Sequence, residues 1–305
     1  MEFFNPDSNV DFMGARRWSA LFSVVIMLGS IMALSIYGLK WGLDFTGGTQ
    51  IEISYPNAAD LVSIRADLSK AGFKEAQVVS YGTSKDVLIS IGPRTGVDQS
   101  LLIDQMMKTL PHATKQRVEF VGPQVGKELA TKGALAVFVS LLATMIYIAI
   151  RFEYRLALSS AVALIHDPVL ILGIFSWFGI EFDLKALAGL LAVIGYSLND
   201  TIVVFDRVRE NFIKLRRRSA LDIMNVSINQ TLSRTIMTSA LTLCVVLALF
   251  VYGGATIHGF ALALIIGILI GTYSSIYVAG SLAVVMGLDK KDFMSTKRKP
   301  LHDEP

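Results

Sequence analysis

Cysteine occurs once in this chain of 305 residues, at Cys244 inside an apolar run, which excludes a disulfide framework, a Cys-rich zinc site and CxxC redox chemistry. Histidine is nearly as scarce. His112, His166, His258 and His302 are the four in the chain, too widely spaced to supply the three or more ligands a metal centre needs. Charged residues amount to 17% and apolar residues to 53%, against about 25% and 45–50% in an ordinary soluble domain. No Ser/His/Asp set, nucleotide loop or cofactor motif is visible, so no enzyme activity, cofactor or metal is expected. The net charge of +3 comes largely from Lys and Arg beside apolar blocks, so nucleic-acid binding does not follow from it.

The apolar residues are gathered into blocks of about 20, the length that crosses a ~30 Å hydrocarbon core. They fall at 18–38, 133–150, 156–179, 186–206, 233–254 and 259–287. The first follows Arg16-Arg17 as a signal peptide would, but it is too long for an h-region and reads as a retained span. The fold class is thus a polytopic α-helical membrane protein with six transmembrane helices, one plus five. Arg16, Arg17, Arg151, Arg155, Arg207, Arg209, Lys214, 216–218 and the tail lysines mark one side. By the positive-inside rule that side is cytoplasmic, with both termini, and the insertion lies opposite. The expected divisions are a cytoplasmic segment 1–17, helix 1 at 18–38, an outside domain 39–132, a five-helix bundle 133–287 with a cytoplasmic basic loop 207–226, and a cytoplasmic tail 288–305.

Within the insertion Ile51, Ile53 and Tyr55 alternate as a half-buried strand, and Leu61, Ile64, Leu68 and Ala71 recur at helical spacing. Two strands at 76–81 and 86–91 read as a hairpin around Gly82-Thr83-Ser84-Lys85. Leu102, Met106 and Leu110 mark a second helix, and Val118 and Phe120 a last strand. The order βαββαβ is that of a ferredoxin-like unit.

Ionisable residues inside spans are costly and face the bundle interior or water. Asp200 lies about two-thirds of the way through helix 4, with Tyr196 and Ser197 a turn away and Asn199 and Thr201 beside it. It reads as an intramembrane proton carrier or as a structural staple between helices. Ser227, Thr231, Arg234, Thr238 and Thr242 step by three and four residues along helix 5, a stripe too polar for lipid. Arg234 is placed near the cytoplasmic start of that helix, where it could hold Asp200 deprotonated. His166-Asp167-Pro168 in helix 3 reads as helix packing or as a secondary relay, and Asp206-Arg207 as an interfacial cap. Gly267 and Gly271 form a GxxxG pair suited to close packing. Asp44, Gly47 and Gly48 belong to a tight membrane-exit turn, and Gly122, Pro123 and Gly126 to a hinge-like re-entry.

Gly42-Leu43-Asp44-Phe45-Thr46-Gly47-Gly48-Thr49, 121–129, His166-Asp167, Glu181-Phe182, the run 195–207 and Arg234-Thr235 with Thr238-Ser239 together resemble the SecD/SecF family of the RND superfamily. The resemblance covers nearly all the chain apart from its tails. It implies a partner of the SecD type, with six similar helices, and assistance to the SecYEG channel by pulling preproteins out with the proton-motive force. YajC is a further implied partner. The helix 4 aspartate and helix 5 arginine implicated in proton passage in that family correspond to Asp200 and Arg234. An exporter half-unit for small molecules or lipids and a non-transporting assembly scaffold are the alternatives.

Overall fold

A computed structural model describes residues 10–93, 99–215 and 217–293. Most of the N-terminal segment, Arg216 of the basic loop and the tail beyond residue 293, with Lys297, Arg298, Lys299 and His302, lie outside the described residues.

Among the described residues six helices are long and apolar enough to cross a membrane. They are α1 (Arg16–Ile36), α5 (Pro123–Arg151), α6 (Tyr154–Trp177), α7 (Leu184–Lys214), α8 (Ala220–Tyr252) and a last span, Thr256–Val285. The last is composite: α9 (Ala255–Tyr273) passes through a π-helical segment (Ser274–Ala279) into α10 (Gly280–Val285). The spanning windows of α6, α7 and the last span are 61%, 50% and 44% buried, whereas those of α1, α5 and α8 are 17%, 11% and 17% buried. Three helices therefore form the centre and three present apolar surface to lipid or to another chain.

Between α1 and α5 the chain forms β1 (Lys40–Trp41), a single turn α2 (Leu43–Thr46), β2 (Gly48–Ser54), α3 (Leu61–Lys70), β3 (Gln77–Tyr81), β4 (Thr83–Ile91), α4 (Gln99–Thr109) and β5 (Thr114–Val121). Strands β2 to β5 make an antiparallel sheet in the order β3-β4-β2-β5. Its period-two pattern turns Ile51, Ile53, Val78, Val87, Ile89 and Ile91 to one face, where Ile64 and Leu68 of α3 and Leu102 and Met106 of α4 cover them.

Several boundaries differ from the sequence expectation. The hairpin turns on Gly82 alone, because its positive φ lets β4 begin at Thr83. The 42–49 stretch is not a simple turn but carries α2 and the start of β2. The 121–129 stretch is not a loop: α5 starts at Pro123, which fits the first helical turn because its missing N–H is unpaired there anyway. Likewise α8 begins at Ala220, under a Ser219 cap, so Arg234 sits near the middle of its helix and not near the start. These helices outrun their apolar blocks because charged turns continue the backbone ladder beyond the lipid.

The insertion is tied to the bundle by a feature the sequence pattern does not announce. β1 pairs in parallel with β6 (Glu181–Phe182), in the link between α6 and α7. Gly42 N donates to Phe182 O at 2.9 Å, and Phe45, Phe175 and Phe182 pack as one aromatic cluster beneath.

Candidate functional site

The glycine loop and the start of α5 form one packed unit. Gly47 and Gly48 have φ of 72° and 131°, and a Cβ on Gly48 would lie 2.2 Å from Ile91 O. A Cβ on Gly126 would lie 2.9 Å from Gly47 N and one on Gly47 2.9 Å from Pro123 Cα, so Pro123 and Gly126 lie directly against the loop, while the Cβ position of Gly122 is open. Asp44 faces the other way. Its Oδ2 accepts from Leu184 N at 3.0 Å, capping α7 beside Asp183, which accepts from Ala186 N at 2.7 Å. Both carboxylates thus meet the positive end of the helix that carries Asp200.

Close helix packing sets the polar centre. A Cβ on Gly267 would come 2.0 Å from Val193 Cγ2, and one on Gly271 3.0 Å from Ser197 Cβ. The GxxxG pair therefore lays α9 against α7 at the level where polar side chains begin. There Asp167 of α6 is 1% exposed. Its Oδ2 accepts from Ser197 Oγ of α7 and, at 2.8 Å, from Ser274 Oγ of the π segment, while His166 Nδ1 lies 2.9 Å from Oδ1. Three elements of the central layer meet at this carboxylate, and α6 continues through Pro168 without interruption. His166 is 3% exposed, and its Nε2 has no partner among the described residues.

Asp200 is also 3% exposed, and its Oδ2 is likewise unpartnered. The Arg234 charge and the Ser239 hydroxyl of α8 act on it, but among the described residues Asp200 and Arg234 form no ion pair. Beside it runs a hydroxyl chain in which Tyr196 Oη donates to Ser239 Oγ at 3.2 Å and Ser239 Oγ meets Thr272 Oγ1 at 2.8 Å.

The remaining polar residues are less concerted than their spacing suggested. Thr201 is buried and donates to Ser197 O, whereas Asn199 is exposed on the bundle surface. On α8, Ser227, Thr231, Thr238 and Thr242 each donate to the carbonyl four residues back. That satisfies each hydroxyl within its own helix, so most of the stripe needs no facing partner. Ser227 also accepts from Asn211 Nδ2 at 2.8 Å. Arg234 is exposed on the outside of the bundle. Asp206 at the far end of α7 takes both oxygens to Arg151 Nη2, at 2.7 and 2.9 Å.

Sequence reasoning missed Ser239, Thr272, Ser274 and the π segment. The available signal was the run Thr272-Tyr273-Ser274-Ser275, polar in the middle of an apolar block. Among the described residues no group of three or more acidic, His or Cys side chains is placed to hold a metal.

Comparison with known proteins adds an independent line. Residues 102–289 match the family described as protein export membrane protein SecD/SecF, C-terminal, and residues 33–55 match the SecD/SecF GG motif. The chain is 49% identical over 290 residues to a protein translocase subunit SecF of Vibrio alginolyticus, covering 92% of each. It is 44% identical over 302 residues to the Escherichia coli O157:H7 protein of the same name, covering 97% of this chain and 94% of the relative. Among solved structures it resembles SecDF of Thermus thermophilus, a translocon-associated membrane protein, with a TM-score of 0.85 and 36% identity over 93% of this chain. It spans 39% of the length of that chain.

Proposed function

The chain belongs to the SecD/SecF protein-export family, and from that premise we propose that it is the SecF-type half of a proton-driven accessory translocase in the bacterial inner membrane. The role of translocation subunit rests on the named relatives and on the structural neighbour. The neighbour's single chain is much longer than this one, which supports a SecD-type second subunit completing the assembly here. SecYEG as the channel assisted, preproteins as cargo and YajC as an associated protein belong to the same reading.

In this reading both termini are cytoplasmic and the ferredoxin-like domain, its compact part running from β2 to β5, is periplasmic. Cysteines introduced at Ser84 and Arg217 label from opposite faces of intact vesicles; labelling from one face refutes the topology.

The observation that carries the proton role is Asp200: a carboxyl buried in a span, with one oxygen unpartnered and an arginine charge near but unpaired. Such a group gains and loses a proton without breaking a packed ion pair. Arg234, exposed on the bundle surface, is available to an acidic group of the SecD-type subunit. One charge crossing the membrane releases about 2.3 kcal/mol per 100 mV, enough to shift a two-state domain equilibrium by one or more powers of ten. Asp200→Asn keeps size and removes titration, so the complex assembles and loses stimulation of preprotein export by the proton-motive force. An assembled Asp200→Asn complex with full stimulation makes Asp200 a structural staple and supports the scaffold reading.

A further inference from the structure

We infer that His166 is a second proton-accepting residue of the bundle, working through Nε2 with Asp167 as its fixed counter-ion. The inference rests on the reading of the chain as proton-coupled but uses a side chain which that reading leaves idle.

The donor arrangement defines the chemistry. Ser197 and Ser274 both donate to Asp167 Oδ2, which marks that oxygen as an acceptor. Oδ1 then takes the Nδ1–H of His166 at 2.9 Å, and the imidazole is held as the tautomer whose Nε2 carries a bare lone pair. That atom is buried and has no partner among the described residues. A structural histidine would spend both nitrogens on neighbours. Here one nitrogen is fixed by a carboxylate and the other is left open, the arrangement by which an acidic partner orients an imidazole to take up a proton.

Charge bookkeeping favours the pair as a carrier. When an N–H bond forms at Nε2, Nδ1–H stays in place and the net charge of the pair goes from −1 to zero, so uptake neutralises a buried charge. Release reverses the step. Apart from Asp200 the neighbours add no fixed charge at this depth. The ionisable side chains of α1 and α5 lie toward their ends, at Arg16, Arg17, Lys127, Glu128, Lys132, Tyr147 and Arg151, and α9 carries His258 near its start and Tyr273 at its end, whose hydroxyl pairs with Ser23 of α1. The π segment adds Tyr277, and α7 contributes Asp200, one turn beyond Ser197. The two buried acceptors, His166 Nε2 and Asp200 Oδ2, thus stand on packed helices, with Asp200 one turn along α7 from the serine that holds Asp167. Two such sites let protons cross in steps.

The test is nitrogen-15 NMR of the full chain in lipid bilayers with its co-purified partner subunit. His112→Asn, which tolerates the positive φ at that position, His258→Phe and His302→Asn leave His166 as the sole imidazole of this chain, and only this chain is labelled. The expected result is an imidazole with its proton on Nδ1 and a bare Nε2, which gains an Nε2–H when the bilayers are acidified, a change absent from the Asp167→Asn variant. In liposomes, His166→Gln lowers proton flux by about tenfold or more, with co-purification unchanged. An imidazole that carries its resting proton on Nε2 or never gains a second N–H on acidification, or full flux through an assembled His166→Gln complex, overturns the inference. The NMR reading does not involve Asp200. If Asp200→Asn leaves flux intact while His166 gains its Nε2 proton, the Asp200 assignment fails and this one stands.

Discussion

Replacing Gly267 by alanine tests whether the polar centre depends on how closely α9 lies against α7. In a loosely packed helix the change stabilises, by about 0.8–1.0 kcal/mol, because alanine restricts the unfolded backbone. Here the new Cβ would sit 2.0 Å from Val193 Cγ2 and 2.6 Å from Cγ1, against an ordinary carbon contact of about 3.5–4.0 Å. Val193 is fully buried, and its β-branched side chain has little rotameric freedom with which to give way. The helices must part by a large fraction of an ångström, and overpacking of this kind costs about 1–3 kcal/mol. The expected sign is therefore destabilising, with heat resistance of the monodisperse protein in mild detergent as the assay. Val193→Ala alone opens a cavity and also destabilises. In the double variant the methyl group added at position 267 occupies that space, so the combined loss is less than the sum of the two, with a coupling of about 0.5–3 kcal/mol. The same displacement would draw Ser274 away from Asp167, so under the proposed proton-coupled function Gly267→Ala also lowers proton flux, and Val193→Ala restores part of it. A stabilised Gly267→Ala variant, or two strictly additive losses, refutes the reasoning.

Other consequences follow from the ends of the bundle. Burial, reinforced by Asp183 and Asp44 and opposed by Lys40, raises the Glu181 carboxyl above its usual range. The native state then holds more protons than the unfolded chain between the two pKa values, so stability falls as pH rises through that window and stays low at neutral pH. Glu181→Gln therefore raises thermal stability at pH 7 and reduces the loss between acid and neutral pH, as a melting series will show. Asp44→Ala removes the Leu184 cap and costs about 1 kcal/mol, whereas Asp44→Asn costs much less. At the opposite end Arg155 Nη1 meets Asp292 Oδ2 at 2.5 Å, with both side chains largely buried, and Phe293 stacks on Phe212 at 4.6 Å. Asp292→Ala should lower the melting temperature, and the exchange Arg155→Asp with Asp292→Arg should recover part of the loss in the same melts.

What the sequence discloses and what it hides divide along physical lines. The six spans were legible because lipid demands about 20 apolar residues in each, whatever packs around them. The strands of the insertion were legible because Ile51, Ile53, Val87 and Ile89 alternate. Gly267 and Gly271 showed their purpose through spacing alone. Helix ends were not legible, since beyond the lipid nothing forces a composition change: α5 gains ten residues and α8 thirteen at their starts relative to the apolar blocks. The α8 stripe was legible in part: Ser227 and Thr231 are buried and Ser227 meets Asn211 of α7, but spacing does not report that the hydroxyls also turn back on their own helix. Asp200 and Asp167 were visible as charges in lipid, and Tyr196 and Ser197 as helical neighbours of Asp200, but their partners on other helices were not. Ser197 and Ser274 lie 77 residues apart and converge on Asp167 only through tertiary packing. The β1–β6 pair, two residues long, is too short to leave any period at all.

That short pair also bears on how force travels. β6 runs straight into α7, with Asp183 the lone residue between them, and α7 continues for 31 residues with no proline and no widened turn. Pro168 gives α6 a place to bend, and the π segment gives one to the last span. α7 has neither, so it behaves as a stiff pushrod. Asp200 lies about 24 Å down its axis from Leu184. A tug on the inserted domain at Lys40 and Trp41 is delivered to the buried carboxylate with little lost to bending, and a shift at the carboxylate is returned to the domain along the same axis.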